Sequence, residues 1–233
     1  MVRLENVKKN YASRCVLDIP QLQLTPGRRY ALIGPNGSGK STLLRLLAGT
    51  LLPDEGSIHI PDVCRQSVGY LPQKPYAYGF SVLKNVCIAL SKNQSSADER
   101  AKRALDEVGM ASLLHARGGT LSGGEAQRMA FARMLVQERS LLLLDEPTSA
   151  TDIAGTQLVE EALLRYYKKT GCTLLFATHA LAQAERLADE IILLDHGRIL
   201  EFGPTAEVLY QSENEQARAF LNFWQLEKPI TSN

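Results

Sequence analysis

The sequence predicts an α/β protein that has a mostly parallel β-sheet, an antiparallel β segment near its N-terminal end and a helical insert in its middle. Short β-rich segments alternate with helical ones in the first and last thirds of the chain, whereas the middle third is helical. The strands of the last third are apolar along their whole length. Such strands are typical of a parallel sheet that helices cover on both faces.

The first third of the chain is rich in β-structure. Five strands are predicted there: 2–8, 15–24, 29–33, 57–60 and 68–71. The first clear helix, at 40–47, follows the third strand, and the turn Pro53-Asp-Glu-Gly56 precedes the fourth.

The middle third is predicted to be helical up to about Val136. Ser96 and Glu99 have the spacing of a capping box, which marks the start of a helix. One apolar stripe then runs along that helix up to Gly109, through Ala97, Ala101, Ala104, Leu105 and Val108.

The last third returns to alternating strands and helices. Strands are predicted at 141–145, 173–178 and 191–194, with helices at about 153–169 and up to Leu187. One or two helices are predicted between Pro204 and Trp224, followed by a frayed end at 228–233.

Composition limits the class of protein. The chain has 233 residues, with 45% hydrophobic and 22% charged residues and a net charge of +1, as in an ordinary globular protein. This charge balance argues against a dedicated surface for nucleic acid or anionic membrane. Its length suits one large α/β domain or two small lobes, and does not choose between them.

Membrane and thiol features are sparse. No apolar run approaches the roughly 20 residues that span a bilayer, and the N-terminal segment lacks a secretion signal, so we expect a cytoplasmic protein. The four cysteines, Cys15, Cys64, Cys87 and Cys172, form no CxxC pair and are expected to be buried, reduced thiols.

The segment Gly34-Pro-Asn-Gly-Ser-Gly-Lys-Ser41 matches the phosphate-loop pattern G-x-x-x-x-G-K-[ST], and it lies between a predicted strand and a predicted helix. Its glycines let successive N–H groups turn inward and hold phosphate oxygens at the helix N-terminus. Lys40 is expected to reach the β- and γ-phosphates, and the Ser41 hydroxyl to bind Mg²⁺. The motif therefore predicts nucleotide binding in a P-loop NTPase core.

The apolar strand Leu141–Asp145 ends in two acids, Asp145 and Glu146. At the carboxyl edge of a parallel sheet these carboxylates would lie beside the phosphate loop. Asp145 could then hold Mg²⁺ through water, and Glu146 could orient or deprotonate the attacking water. By itself the pair is also compatible with an ordinary strand end.

The segment Leu121-Ser122-Gly123-Gly124-Glu125 precedes another predicted helix and offers a second anion site, made of the Ser122 hydroxyl and glycine N–H groups. Because this site has neither the lysine nor the metal ligands of the phosphate loop, it is expected to complete a site on another copy of the chain. A simple N-cap by Ser122 is the alternative.

Over essentially its whole length the chain resembles the nucleotide-binding subunits of the ATP-binding cassette family. The motifs occur in the family's order: phosphate loop, Gln73 in Leu-Pro-Gln-Lys-Pro, the signature Leu121–Glu125, Asp145-Glu146, Ser149-Ala-Thr-Asp152 and His179. The signature ends in Glu125, where the family most often has Gln. The resemblance implies a competent ATPase in which two copies pair head to tail around two ATP molecules.

The resemblance also implies roles for individual residues. Glu146, His179, Lys40 and Gln73 would be catalytic, and Ser41, Gln73 and Asp145 would be the Mg²⁺ site. Gln73 would contact the nucleophilic water, and His179 the γ-phosphate. Contacts to ATP would come from Tyr11, Val16, Gly34, Pro35, Asn36, Gly37, Ser38, Gly39, Lys40, Ser41, Thr42, Ser122, Gly123, Gly124 and Asp152.

For some of these residues the sequence alone supports a simpler interpretation. His179 could be a surface or capped residue, and Tyr11 an ordinary strand aromatic. In the family an aromatic ring at the position of Tyr11 stacks on adenine. The apolar residue that usually follows this aromatic in the family, here Val16, also contacts the base. Asp152 would lie on the subunit interface.

The family also implies a partner. Because the chain has neither a membrane span nor a second cassette, a separate membrane permease is expected, which places the protein at the inner face of the cell membrane. The loop Lys74-Pro-Tyr-Ala-Tyr-Gly-Phe80 carries three aromatics that could receive a short helix of that permease, or could equally anchor the helical insert.

The single domain is predicted to comprise a core at 1–72 and 137–233, with a helical subdomain at about 73–136. The compact cassette most resembles the ATPase of a bacterial importer that works with a substrate-binding protein. Its cargo is expected to be a small solute or an oxyanion such as tungstate, molybdate or phosphate. An exporter subunit, a soluble cassette ATPase and a P-loop small-molecule kinase are the alternatives.

Overall fold

The computed structural model describes residues 1–12, 14–65, 67–90 and 96–223. The strands are β1 Val2–Tyr11, β2 Arg14–Leu24, β3 Arg29–Ile33, β4 Glu55–His59, β5 Val68–Leu71, β6 Leu141–Asp145, β7 Thr173–Ala177, β8 Glu190–Asp195 and β9 Arg198–Pro204. The helices are α1 Lys40–Leu47, α2 Asp62–Arg65, α3 Val82–Cys87, α4 Ala97–Asp106, α5 Gly123–Leu135, α6 Ile153–Thr170, α7 Leu181–Leu187, α8 Thr205–Gln211 and α9 Glu215–Phe223, with 3₁₀ turns at Ala111–Leu113 and Gly118–Thr120.

The chain divides into two compact units. Residues 1–61 and those from 173 onward form the terminal unit, and residues 62–172 form the central unit. The predicted boundaries of the helical insert, at 73 and 136, fall within the central unit and stay a prediction.

An antiparallel sheet in the order β2-β1-β4 opens the terminal unit. Along β1 and β2 the apolar side chains that alternate with polar ones are buried, including Leu4, Leu17 and Ile19. Strand alternation of this kind stabilises a sheet that packs on one face and is solvated on the other. The predicted antiparallel β segment is therefore confirmed.

The second group of strands in the terminal unit is mostly parallel. Strand β3 pairs in parallel with β7 and β8, and β9 pairs antiparallel with β8. Each residue of β7 is buried, which explains its uniform apolar sequence. Strand β9 was not predicted, because Gly203 and Pro204 break its pattern and its side chains are mostly only half-buried.

In the central unit β5 pairs in parallel with β6, and the helices α3 to α5 lie between these strands in sequence. Strand β6 is completely buried. Helix α6 begins at the N-cap Asp152 and ends at Gly171, whose φ of 63° suits a glycine at a helix C-terminus. The α/β class with a helical middle is thus as predicted.

The predicted capping box at the start of α4 is wrong. Ser96 precedes α4, but its side chain makes no capping hydrogen bond, and Glu99 instead pairs with Lys102 at 2.8 Å. An N-cap residue needs an extended ψ, which Ser81 and Ser122 have, whereas Ser96 has a ψ of 17°.

The four cysteines are free thiols, as predicted, but only Cys172 is buried. Cys15 is exposed and lies at the start of β2, next to its first residue, Arg14. The predicted helix end at Trp224 and the predicted frayed end at 228–233 lie outside the described residues.

Candidate functional site

The phosphate loop lies between the buried strand β3 and helix α1. Gly34 has a φ of 144°, and a Cβ there would come within 1.9 Å of the Leu194 carbonyl oxygen. Gly39 has a φ of 109°, and a Cβ there would lie 2.7 Å from Cδ2 of Leu17. These two positions admit only glycine, because neither the backbone conformation nor the space suits a side chain.

Lys40, at the start of α1, is buried, with 6% of its surface exposed. Its Nζ donates hydrogen bonds to the carbonyl oxygens of Gly34, at 2.8 Å, and Pro35, at 2.9 Å. The ammonium group thus lies over the loop, and its contact with phosphates stays a prediction.

Ser38 provides a test of whether the loop fits an anion. Its side chain is buried, and its hydroxyl oxygen has no hydrogen-bond partner among the described residues. Buried polar groups in proteins are nearly always paired, and the N–H groups in the first turn of α1 have no partners within the helix. The loop therefore has the donors that phosphate oxygens need.

The remaining loop residues differ in exposure. Asn36, Gly37 and Ser41 are exposed, whereas Pro35 and Thr42 are half-buried. Ser41 lies in the first turn of α1, so its hydroxyl is open to a ligand at the helix N-terminus.

Two residues that the sequence analysis did not identify support the loop. Gly197 donates from its backbone N–H to the Ser38 carbonyl at 2.9 Å, and Leu194 lies against Gly34. Both belong to the β8–β9 hairpin, whose turn at His196-Gly197 was the available sequence signal.

On the expected adenine side, Tyr11 ends β1 and is 45% exposed, with Nζ of Lys9 at 5.9 Å from its ring centroid. Val16 lies in β2 and is half-buried. Its carbonyl oxygen would be 3.0 Å from a Cβ at Gly39, so the structure brings the Val16 backbone to the phosphate loop.

His179 follows β7 and is half-buried. Strand β7 pairs with β3 so that Ala177 is opposite Leu32, and Thr178 donates from its N–H to the Leu32 carbonyl at 3.2 Å. Gly34 lies two residues after Leu32, and His179 lies two residues after Ala177. Because Leu32 and Ala177 are paired in parallel strands, Gly34 and His179 lie at the same edge of the sheet. The structure therefore places His179 at the edge where the phosphate loop begins.

In the central unit, β6 ends at Asp145, which is 3% exposed, and Glu146 follows with a φ of 51°. Gln73, which is exposed, follows β5 and donates from Nε2 to Oε2 of Glu146 at 2.7 Å. Two side chains that were predicted to act on the same water molecule are thus hydrogen-bonded to each other.

The backbone of Glu146 has a further partner that the sequence analysis did not identify. Gln127 of α5 is fully buried, and its Nε2 donates to the Glu146 carbonyl at 2.7 Å. Its Oε1 accepts from the Ala150 N–H at 2.9 Å. Sequence reasoning missed Gln127, because its burial and its two partners become visible only in the structure.

The signature segment begins helix α5 through a capping box. Ser122 Oγ accepts from the Glu125 N–H at 3.3 Å, and the Glu125 carboxylate accepts from the N–H and hydroxyl of Ser122 at 2.7 and 2.8 Å. These hydrogen bonds hold the pKa of Glu125 below its usual range. Ser122 is thus an N-cap within its own chain, and its predicted contact with a second copy stays a prediction.

Gly124 lies against the segment that follows Glu146. A Cβ on Gly124 would be 2.7 Å from the Ala150 carbonyl oxygen, whereas Gly123 is exposed. Asp152, two residues after Ala150, is an exposed N-cap that accepts from the Gly155 N–H at 2.7 Å. The first turn of α5 is therefore packed on the segment from Glu146 to Asp152.

Clusters of metal-binding side chains and membrane spans are both absent from the part of the chain that the structure describes. Its residues contain no group of three or more His, Cys, Asp or Glu side chains that could hold a metal ion. Within the same residues, every helix is too short or too polar to cross a bilayer.

A family model described as ABC transporter matches residues 17–149, which include the phosphate loop, Gln73, the signature and Asp145-Glu146. A phosphate import ATP-binding protein, PstB 2, of Natronomonas pharaonis is 38% identical over 93% of this chain and 84% of its own. An aliphatic sulfonates import ATP-binding protein, SsuB 2, of Pseudomonas syringae pv. syringae is 41% identical over 93% of this chain and 77% of its own. A thiamine import ATP-binding protein, ThiQ, of Jannaschia sp. is 36% identical over 90% of this chain and 95% of its own.

Solved structures are similar in fold. The ATP-binding cassette MJ0796, in a dimeric post-hydrolysis state bound to ADP and Pi, superposes with a TM-score of 0.80 at 26% identity, over 88% of this chain and 99% of its own. A bacterial Atm1-family ABC exporter with ATP bound superposes with a TM-score of 0.85 at 26% identity, over 98% of this chain and 42% of its own. The family model and the relatives together confirm the predicted resemblance and fold. The chain therefore belongs to the ABC transporter family, as an ATP-binding domain that hydrolyses ATP.

Proposed function

We propose that the chain is the ATPase subunit of an importer and that it energises solute uptake through a separate membrane permease. Two copies pair head to tail with two ATP molecules between them. Each ATP is held by the phosphate loop of one copy and the Ser122–Gly124 segment of the other. The dimeric state of the MJ0796 cassette supports the pairing, and the names of the relatives support import.

At each ATP, Lys40 and the N–H groups of its loop bind the phosphates, and Tyr11 and Val16 contact the base. Glu146 takes a proton from the attacking water, Gln73 orients that water, and His179 contacts the γ-phosphate. Asp152 lies at the interface between the copies. The observation that carries this assignment is the hydrogen bond of 2.7 Å between Gln73 and Glu146, which holds the base and the orienting amide together.

The proposed metal is Mg²⁺, because the ligands proposed for it, from Ser41, Asp145 and Gln73, are oxygen atoms. Since the Gln73 nitrogen donates to Glu146, the same amide can offer its oxygen to the cation. When bound, Mg²⁺ would neutralise charge on the β- and γ-phosphates.

The permease is proposed to dock on the aromatic loop Lys74–Phe80. Tyr76 is 69% exposed and Tyr78 41% exposed, although their rings contact each other at a centroid distance of 4.9 Å. Phe80 stacks on Tyr78 at 5.2 Å. Exposed aromatic rings such as those of Tyr76 and Tyr78 suit a short amphipathic helix of a partner. Docking there places the protein at the inner face of the cell membrane.

The proposed cargo is a small solute, with an oxyanion as the favoured class. Two of the relatives are named for phosphate and for sulfonates, both of which are oxyanions, whereas a third is named for thiamine. An exporter subunit is the second candidate, since the domain also resembles part of an ABC exporter.

The test is to purify the Glu146→Gln variant from its native host in mild detergent with ATP and Mg²⁺, and to identify its partners by mass spectrometry. The Lys40→Ala variant, which should not hold ATP, is the control for ATP-independent partners. We expect a multi-span membrane protein without its own cassette, together with a substrate-binding protein. A membrane protein without a binding protein would support the exporter, and ribosomal or DNA-repair partners alone would overturn transport.

A further inference from the structure

Glu146 has an unusual backbone conformation for a residue with a side chain. Its φ of 51° lies in the left-handed region, which disfavours residues other than glycine. Such conformations persist where the surrounding structure imposes them, and they are frequent at functional sites. The contacts of the Glu146 peptide are therefore what can hold this residue in its unusual conformation.

Hydrogen bonds converge on the Glu146 carbonyl oxygen. It accepts from the Ser149 N–H at 3.2 Å, from the Ser149 hydroxyl at 3.1 Å and from Nε2 of Gln127 at 2.7 Å. The contacts with Ser149 lie within the turn itself, whereas the contact with Gln127 comes from another element, helix α5. Gln127 also accepts from Ala150, so that one amide joins both ends of the turn 146–150.

The surroundings of Gln127 make these two hydrogen bonds hard to replace. The side chain is fully buried, and so are the neighbouring Met129, Ala130 and Phe131 of the same helix. A buried amide that loses its partners is destabilising, and water cannot easily take their place. Gln127 therefore has one low-energy arrangement, with its nitrogen toward Glu146 and its oxygen toward Ala150.

We propose that Gln127 is a positioning residue for ATP hydrolysis, which fixes the peptide of Glu146 so that its carboxylate stays against Gln73. The inference rests on the proposed function, in which Glu146 acts on the attacking water. In this role Gln127 acts through the peptide of Glu146 and needs no contact with the nucleotide or the water. Its effect is on the orientation of Glu146, and so on the chemical step rather than on ATP binding.

The experiment compares Gln127→Met, which keeps the length of the side chain but removes both hydrogen bonds, with the wild type. Gln157→Met is the matched control, because Gln157 lies on α6 and its Nε2 donates to the exposed Glu161 at 3.0 Å. We expect kcat of Gln127→Met to fall about 10- to 100-fold, the usual result of misplacing a catalytic group by about 1 Å. The Kd for ATP, measured with a fluorescent analogue in excess Mg²⁺, should change less than about threefold, because the phosphate loop is untouched.

A structural role alone would give a different pattern. It would lower the melting temperature and leave kcat per folded molecule unchanged, and that result would overturn the proposal. An equal loss in kcat and in ATP affinity would overturn it as well. If Gln127→Met does not fold, Gln127→Asn takes its place, since it keeps the buried amide but is one methylene too short to reach both partners.

The Glu146→Gln variant, alone and combined with Gln127→Met, separates this inference from the function on which it rests. If Gln127 acts through Glu146, the double variant should be no slower than Glu146→Gln. Normal hydrolysis by Glu146→Gln would refute the proposed role of Glu146. An inactive Glu146→Gln beside a fully active Gln127→Met would refute the role of Gln127 alone.

Discussion

Gln73 and Glu146 are joined by a hydrogen bond of 2.7 Å from Nε2 to Oε2, although they follow different strands, β5 and β6. The bond fixes one oxygen of the Glu146 carboxylate against the amide of Gln73. A carboxylate held in this way is oriented before a water molecule arrives, which is the condition for efficient proton transfer.

The first prediction concerns this carboxylate. Glu146→Gln should lower kcat for ATP hydrolysis by at least about 10²-fold, because an amide cannot take a proton from water. The variant should still retain ATP, since the phosphate loop is unchanged. Phosphate release and filter retention of labelled ATP measure the two effects, with Glu213→Gln as the control for loss of an acid elsewhere. Turnover at the wild-type rate would contradict the assignment of Glu146.

The second prediction concerns the shape of the phosphate loop. Gly34→Ala should abolish ATP binding and lower the melting temperature, because its Cβ would lie 1.9 Å from the Leu194 carbonyl oxygen, at a φ of 144°. Gly171→Ala is the matched control, since its φ is also positive, at 63°, but nothing lies within 4 Å of the added Cβ. The control should cost about 1–2 kcal/mol of stability for backbone strain alone and leave ATP binding intact. Calorimetric titration with ATP distinguishes the two, and comparable ATP binding by both variants would count against the steric argument.

The third prediction is a dependence of stability on pH. Burial opposes ionisation of Asp189, but hydrogen bonds from the side chain and backbone of Arg29 outweigh it and hold the pKa of Asp189 below its usual value. A carboxyl whose pKa is lowered by folding stabilises the protein above its unfolded pKa, about 3.9 for Asp, and this stabilisation is lost as the pH falls through the folded pKa.

The Asp189→Asn variant should therefore lower the free energy of unfolding by about 1.5–3 kcal/mol at pH 7, the usual worth of hydrogen bonds to a charged group. The difference from the wild type should shrink below about pH 4. Denaturant unfolding of both proteins at pH 7 and at pH 3 measures this difference in the free energy of unfolding. The control is Asp106→Asn, because Asp106 is exposed. A deficit of the same size at pH 7 and pH 3 would show that charge is not the cause.

The fourth prediction concerns the aromatic loop. Replacing Tyr76 and Tyr78 together with Ser should abolish transport while basal ATPase activity remains, because the exposed rings are proposed to receive the permease. Solute uptake in the native host and ATP hydrolysis by the purified chain are the two measurements. Leu52→Ser, which removes another exposed apolar side chain, 75% exposed, should affect neither. Uptake at the wild-type rate in the double variant would mean that the permease docks elsewhere.

Much of the fold was predictable because local sequence and final environment agree. The buried strands β6 and β7 are apolar throughout, and the phosphate loop has glycine at Gly34 and Gly39, where the structure admits no side chain. Ser122 and Glu125 form the capping box that their spacing allows. In these places tertiary packing reinforces what each segment favours by itself.

The parts that sequence reasoning missed depend on contacts between distant segments. The Ser96 and Glu99 pattern matches that of Ser122 and Glu125, yet Lys102 pairs with Glu99 and the Ser96 backbone turns away from the extended form. The support of the phosphate loop by Gly197 depends on how the β8–β9 hairpin folds back, and no local pattern encodes that position. Gln127 was missed because a buried polar side chain becomes informative only when its partners are known.

Helix α5 has a mechanical consequence for the protein. It has 13 residues and is thus roughly 20 Å long, with Ser122 as its N-cap and Arg133 in its last turn. Arg133 donates to the Tyr76 carbonyl at 2.8 Å, and its guanidinium lies 5.6 Å from the ring centroid of Tyr78. Because a helix of this length is stiff, a tilt imposed at the aromatic loop is also felt at the turn that carries Glu146. If the permease docks on the aromatic loop as proposed, helix α5 is the element that links the docking surface to the turn that carries Glu146.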